Sequence, residues 1–126
     1  MKSYIPFDYI AILTLAANGQ ATVALQIQQD ADFELHNILG VSSKDAATDN
    51  HSNNFTVLWK DSSTGRQFSN APVPQSAFGG PSNGSIREFR PIVLSKSTQM
   101  EFSATDISGF ANVVTIILKG YKVFGA

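Results

Sequence analysis

The side chains that do chemistry are few here and poorly spaced for it. The chain has two histidines, His36 and His51, and no cysteine. His36 follows Leu35 in an alternating segment, on the face opposite Phe33 and Leu35, and is expected to be a half-exposed surface residue. His51 lies in a polar loop with Asp45, Asp49 and Asn50. Their spacing fits neither an EF-hand nor a zinc site, so a solvated loop without metal is expected. Among the 10 acidic residues no pair is spaced for acid–base work. Glu101 and Asp106 could approach across a strand end, where a solvated edge suits them better. The serines include no G-x-S-x-G elbow, and neither histidine has an obvious Ser and Asp partner. Gly79, Gly80, Pro81 and Gly84 do not sit between a strand and a helix, as a phosphate-cradling loop must. A cupin-type site needs two or three histidines and a carboxylate converging in a barrel, and His36 and His51 are poorly placed for that. The expectation is a non-enzymatic chain without cofactor.

Two further features bear on binding. Trp59 could stack on a sugar, but beside Phe55 and Val57 on an alternating strand it reads as core. Arg87 and Arg90 flank Glu88 and Phe89 in a charge-poor stretch. They read equally as charge that protects an edge strand or as an interface pair set against a partner's carboxylates.

The elements that must position these residues are strands almost throughout. Val23, Leu25 and Ile27 share one face of their segment, with Thr22, Gln26 and Gln28 on the other. Phe55, Val57 and Trp59 do the same, with Leu58 an apolar exception, and so do Met100 and Phe102 around Glu101. A period of two is what half-buried antiparallel strands require, because successive side chains point to opposite faces. Residues 11–17 suit a short helix, but Asn18 and Gly19 follow, so a strand ending in a hairpin turn competes. Ile38, Leu39 and Val41 crowd both faces of their segment, and a bulge near Asn37 or a strand covered on both sides would explain the switch. With Val114, Ile116 and Leu118 inward, Val113 and Ile117 face outward and call for a covering partner, either an arm of the same chain or another subunit. Gly65 reads as the positive-φ residue of a hairpin turn. Residues 70–84, with Pro72, Pro74 and Pro81, are too irregular for a strand, and Phe78 there is expected to plug a core edge or an interface. Seven to eight strands follow, near 10–15, 21–29, 33–42, 54–61, 65–69, 86–95, 98–105 and 112–124. Short strands joined by Gly/Pro/Asn/Asp loops predict an all-β, antiparallel two-sheet sandwich, and eight of them suit a jelly roll. Residues 1–17 form either an N-terminal arm or the first strand, and residues 18–126 the sandwich.

The composition agrees with one non-catalytic domain. The chain has 126 residues, is 43% hydrophobic and 15% charged, and carries a net charge of -1. Ordinary domains are about 25% charged, so neither nucleic-acid binding nor electrostatic steering is expected. The lack of Cys excludes a disulfide scaffold, a thiolate metal site and a Cys nucleophile, and fits a reducing cytoplasm. Only Lys2 precedes the apolar stretch of 9–17, and Pro6 and Asp8 intervene, so no signal peptide is expected. No apolar run approaches the roughly 20 residues of a membrane span.

Taken over nearly its whole length, the chain resembles the jelly-roll cement (decoration, or staple) proteins of tailed-bacteriophage capsids. The residues that carry the likeness are Tyr4, Ile5, Pro6, Phe7, Asp8, Tyr9 and Ile10, then Ala31 to Leu35. The aromatic strand and turn from Phe55 to Arg66 follows, then the loop with Pro72, Pro74, Phe78 and Gly79. Arg90 to Leu94 and Val114 to Tyr121 complete it. The likeness is one of style and strand order. It implies no active site, self-association as a homodimer or homotrimer, location on the virion, and clamping of neighbouring major capsid subunits, with no membrane or nucleic-acid partner. Candidate interface residues are Tyr4, Ile5, Phe7, Tyr9, Ile10, Phe78, Arg87, Arg90, Val113 and Ile117. Two other roles use the same fold: a head-fibre base or tail accessory subunit, and a carbohydrate-binding module with an exposed aromatic platform.

Overall fold

A computed structural model describes residues 1–44, 54–74 and 87–125. Among the described residues nine strands run in chain order: β1 (Ser3–Leu15), β2 (Gln20–Gln26), β3 (Asp32–Lys44), β4 (Phe55–Asp61), β5 (Arg66–Gln67), β6 (Val73–Pro74), β7 (Arg87–Leu94), β8 (Gln99–Asp106) and β9 (Asn112–Phe124). The first sheet has the order β1-β9-β3-β7 and the second β2-β8-β4-β5, with β6 also paired to β4. Every pairing is antiparallel. Successive strands from β1 to β4 alternate between the sheets, as do β7, β8 and β9. The short β5 and β6 share one edge of β4 and together take the eighth strand's place. This is the connectivity of a jelly roll, in an all-β, antiparallel two-sheet sandwich.

The alternation in the sequence explains the core. Tyr9, Ala11, Leu13 and Leu15 of β1, Val114, Ile116 and Leu118 of β9, and Phe33, Leu35 and Ile38 of β3 are buried. They face Phe55, Val57 and Trp59 of β4 and Met100, Phe102 and Ala104 of β8 in one cluster. Each such side chain contributes about 1.5–3 kcal/mol by leaving water. Trp59 is wholly interior, stacked on Phe68 at 4.3 Å and on Phe102 at 6.1 Å between ring centroids. It offers no platform to a sugar.

Three local features differ from, or refine, the pattern. The residues before position 10 are strand, because β1 starts at Ser3 and pairs with β9 along its length. Residues 73 and 74, in a stretch too irregular for a strand by sequence, pair with Val57 and Thr56. Pro74 is tolerated there because β6 lies on an edge. The expected bulge is present: against β9 the register shifts between Leu35 and Asn37 and leaves His36 as the extra residue, whereas on the other side β7 has the surplus, residues 89–91 lying between the partners of Leu35 and Asn37. The shift returns Ile38 to the core after Phe33 and Leu35.

Gly120 is what lets β9 close on that bulge. A Cβ there would collide with the Glu34 carbonyl oxygen and touch the Phe33 ring. Gly65 is the opposite case, a turn glycine at φ 78° with open space around it. Gly120→Ala is therefore expected to lower stability by roughly 2–4 kcal/mol through backbone displacement, and Gly65→Ala by only about 1 kcal/mol through left-handed strain. Urea unfolding followed by the emission of the single buried Trp59 measures both; equal losses would contradict the assignment.

Candidate functional site

The antiparallel register builds the outer face of the first sheet row by row. Ile10 of β1 lies opposite Ile117 of β9, which lies opposite Leu39 of β3. The next row is Ile12, Thr115 and Val41, and the one beyond begins with Thr14 and Val113. Ile10 and Ile12 are 54% and 60% exposed, and Val113, Ile117, Leu39 and Val41 are half-buried by their neighbours. The second sheet presents the reverse chemistry. Its corresponding rows read Gln20, Thr105 and Thr56; Thr22, Ser103 and Leu58; and Ala24, Glu101 and Lys60. Thr22 and Ser103 share a hydrogen bond of 2.9 Å, and Lys60 pairs with Glu101 at 3.6 Å. One outer face is thus ordinary solvated sheet and the other is apolar.

Toward the bulge the apolar face becomes polar. Asp8, Lys119 and Asn37 form one row, and Pro6, Tyr121 and Glu34 the next. Lys119 Nζ donates to Asp8 Oδ2 at 3.3 Å, His36 Nε2 is 2.7 Å from Glu34 Oε1, and the His36 ring meets Tyr121 edge-on at 5.2 Å. Pro6, Asp8, His36, Asn37, Lys119 and Tyr121 line an open cleft of about 480 Å³. The bulge creates it by giving β3 one residue more than β9, which turns His36 out of that ladder. Sequence placed His36 on the surface but did not join it to Asp8, Lys119 and Tyr121. Only the pairing of β1, β9 and β3 does so. Among the described residues no group of three His, Asp or Glu is arranged to hold a metal.

The residues expected at an interface divide. Ile10, Val113 and Ile117 are on the apolar outer face, and Tyr4 and Ile5 are exposed near the start of β1. Tyr9 is corrected to an interior position. It is 5% exposed, packs edge-on against Phe33, and its hydroxyl accepts from the Gln28 backbone N–H at 2.9 Å. From Phe7 onward the odd-numbered residues of β1 point between the sheets, so the Tyr9 ring lies inside the sandwich and not on its outer face. Phe7 is half-buried against Tyr9 and beneath Lys122 Nζ, 4.2 Å from its ring centroid. Its contacts are within the chain. Arg87 and Arg90 lie on β7, an edge strand; their side chains, and Phe78, lie outside the described residues. Glu101 pairs with Lys60, away from Asp106.

No family model matches the chain, and no curated protein matches it. Solved structures similar to the chain include two. One is the Yersinia pseudotuberculosis-derived mitogen, at 8% identity over 97% of this chain and 90% of that one, with a TM-score of 0.43. The other is the core of Drosophila NLP, described for pentamer formation and histone binding, at 12% identity over 92% and 98%, with a TM-score of 0.31. Neither likeness carries a function across.

The position of β9, and with it the whole outer face, depends on the β8–β9 turn. Asp106 organises that turn. Its carboxylate accepts from the backbone N–H of Asn18 at 2.8 Å, Ser108 at 3.1 Å and Gly109 at 3.0 Å, from the Ser108 hydroxyl, and from Asn112 Nδ2 at 2.9 Å. Burial, the largest single influence, pushes the carboxyl up. The hydrogen bonds from the Ser108 hydroxyl and from the Asn18, Ser108 and Gly109 backbone together outweigh it and leave the pKa below the ordinary 3.8. A depressed folded value means that the stabilisation is complete above the unfolded pKa and is lost as pH falls through the folded one. Asp106→Ala should cost roughly 2–4 kcal/mol at neutral pH, since several donors lose a charged acceptor, and should flatten the decline of stability below pH 4. Urea midpoints of both proteins at neutral and acid pH test this; parallel pH profiles would contradict it.

Proposed function

We propose that this protein is a non-enzymatic structural subunit of a tailed-bacteriophage virion, made in the host cytoplasm, which self-associates on the capsid surface and clamps neighbouring major capsid subunits. The reading draws on the resemblance in strand order and style. The observation that carries it is the contrast between the two outer faces. A surface meant for permanent docking gains from apolar area and loses by every charge it must strip of water. The face built from Ile10, Ile12, Leu39, Val41, Val113 and Ile117 meets that requirement, whereas the face bearing Lys60 and Glu101 does not. A head-fibre base or tail accessory subunit would use the same surface on a different partner.

A second reading, carbohydrate binding, is favoured by one observation. The cleft beside the bulge places the exposed Tyr121 next to Asp8 and Asn37, the aromatic-plus-amide arrangement that a sugar site needs. The two readings separate by mutation. On expanded shells of the same virus's major capsid protein, the structural role predicts saturable co-sedimentation. Ile12→Lys should weaken it about tenfold or more, the loss expected from one buried isoleucine, with Tyr121→Ala close to wild type. Shells that retain no wild-type protein would contradict the proposal. Glycan binding abolished by Tyr121→Ala and indifferent to Ile12→Lys would favour the second reading.

A further inference from the structure

Among the described residues the two sheets have four edges, and they are not equally defended. An edge presents a row of unpaired N–H and C=O groups, and proteins that remain monomeric blunt it with charge, proline, brevity or a break. β7 carries Arg87, Glu88, Arg90 and Pro91 in its sequence. The β5 and β6 edge consists of two pieces of two residues each, with Arg66 in one and Pro74 in the other. β2 has neither charge nor proline in its seven residues. β1 has 13 residues, one charge, Asp8, which Lys119 already holds, and one proline, Pro6, near its start, so its length from Asp8 to Leu15 carries no proline. Among the described residues β1 has a hydrogen-bonded neighbour, β9, on one side only. The two least defended edges lie beside each other, packed together and joined by the turn at Asn18 and Gly19.

We infer that β1 pairs antiparallel with β1 of a second copy of this chain about a two-fold axis near Ala11, continuing the first sheet across two subunits. Pro6 sets the geometry. It has no N–H to give β9, so its nitrogen belongs toward the open edge, and alternation sends the N–H and C=O groups of Asp8, Ile10, Ile12 and Thr14 the same way. An axis at Ala11 sets Ile10 of each copy opposite Ile12 of the other and Asp8 opposite Thr14. Pro6 then falls opposite Ala16, past the end of the strand, where no bond is required of it. The two Asp8 carboxylates stay about 20 Å apart, six residues of strand. Such an interface is isologous and closes at two copies. It also joins the apolar rows of both subunits into one strip, with Ile10 and Ile12, the most exposed of those rows, at its centre.

This inference rests on the proposed self-association and names its surface. Sedimentation equilibrium over a wide dilution series tests it on the full-length protein, Ile12→Pro and Ile10→Lys. Ile12→Pro removes one outward N–H and leaves the ladder to β9 intact; Ile10→Lys adds an edge charge at an exposed site, so it reports even where the proline variant fails to fold. The expected result is a wild-type dimer and, for each variant with a wild-type circular-dichroism spectrum, at least a tenfold weaker dimer. A wild-type monomer at all concentrations would overturn the inference together with self-association. A trimer, or a dimer indifferent to both substitutions, would overturn the inference alone and place self-association on another surface.

Discussion

Everything on the functional side of this molecule depends on the pairing of β9 along its length with two neighbours. β1 runs antiparallel on one side, from Ser3 opposite Phe124 to Leu15 opposite Asn112, and β3 runs on the other. A ladder of that length fixes register, and a slip of one residue would exchange the two faces. Val114, Ile116 and Leu118 would leave the core, and Val113, Thr115 and Ile117 would enter it. The apolar outer rows are thus a direct consequence of the ladder that makes the core.

Both ends of β9 are held by buried polar groups, which hydrophobic burial alone would not place. At its start, Asn112 donates to Asp106 and accepts from the Ser42 hydroxyl at 3.0 Å, tying the β8–β9 turn to β3. At its end, Lys122 is only 7% exposed, yet its ammonium meets the Asp30 carboxylate at 2.9 Å and the Gln28 amide oxygen and lies over Phe7. A lysine so deeply placed is tolerable because its donors are satisfied; removing one partner would leave a charge stranded. These groups resist sliding of β9, which hydrophobic residues alone, roughly interchangeable in a shift of two, would resist less.

Much of this was legible in the sequence, for physical reasons. The inward sets Phe55, Val57 and Trp59, or Val114, Ile116 and Leu118, follow from the period of two. The bulge near Asn37 is one of two readings of a phase change in that period, the other being a strand covered on both sides, and the turn at Gly65 follows from the conformational freedom of glycine. Other features depend on partners distant along the chain. Residues such as Tyr9 look the same in sequence whether they pack inward or dock outward, because an aromatic serves both purposes. Its parity relative to Ala11 and Leu13 settles the matter once β1 is known to begin at Ser3. The cleft joining Asp8, His36, Lys119 and Tyr121 spans three strands, and no local pattern announces it. The brief pairing of Val73 and Pro74 is set by the edge that β4 offers, not by the propensity of those residues.

The outer face and the open edge share β1, so the state of β1 is the centre of this account. Residue-resolved amide hydrogen exchange at low and high protein concentration reads it directly. The amides of Ala11 and Leu13, which belong to the ladder with β9, should be protected at both concentrations. Those of Asp8, Ile10, Ile12 and Thr14 should exchange rapidly in dilute solution and become protected as concentration rises. If those four exchange equally fast at every concentration, the edge is not an interface between copies, and the account of this surface is wrong.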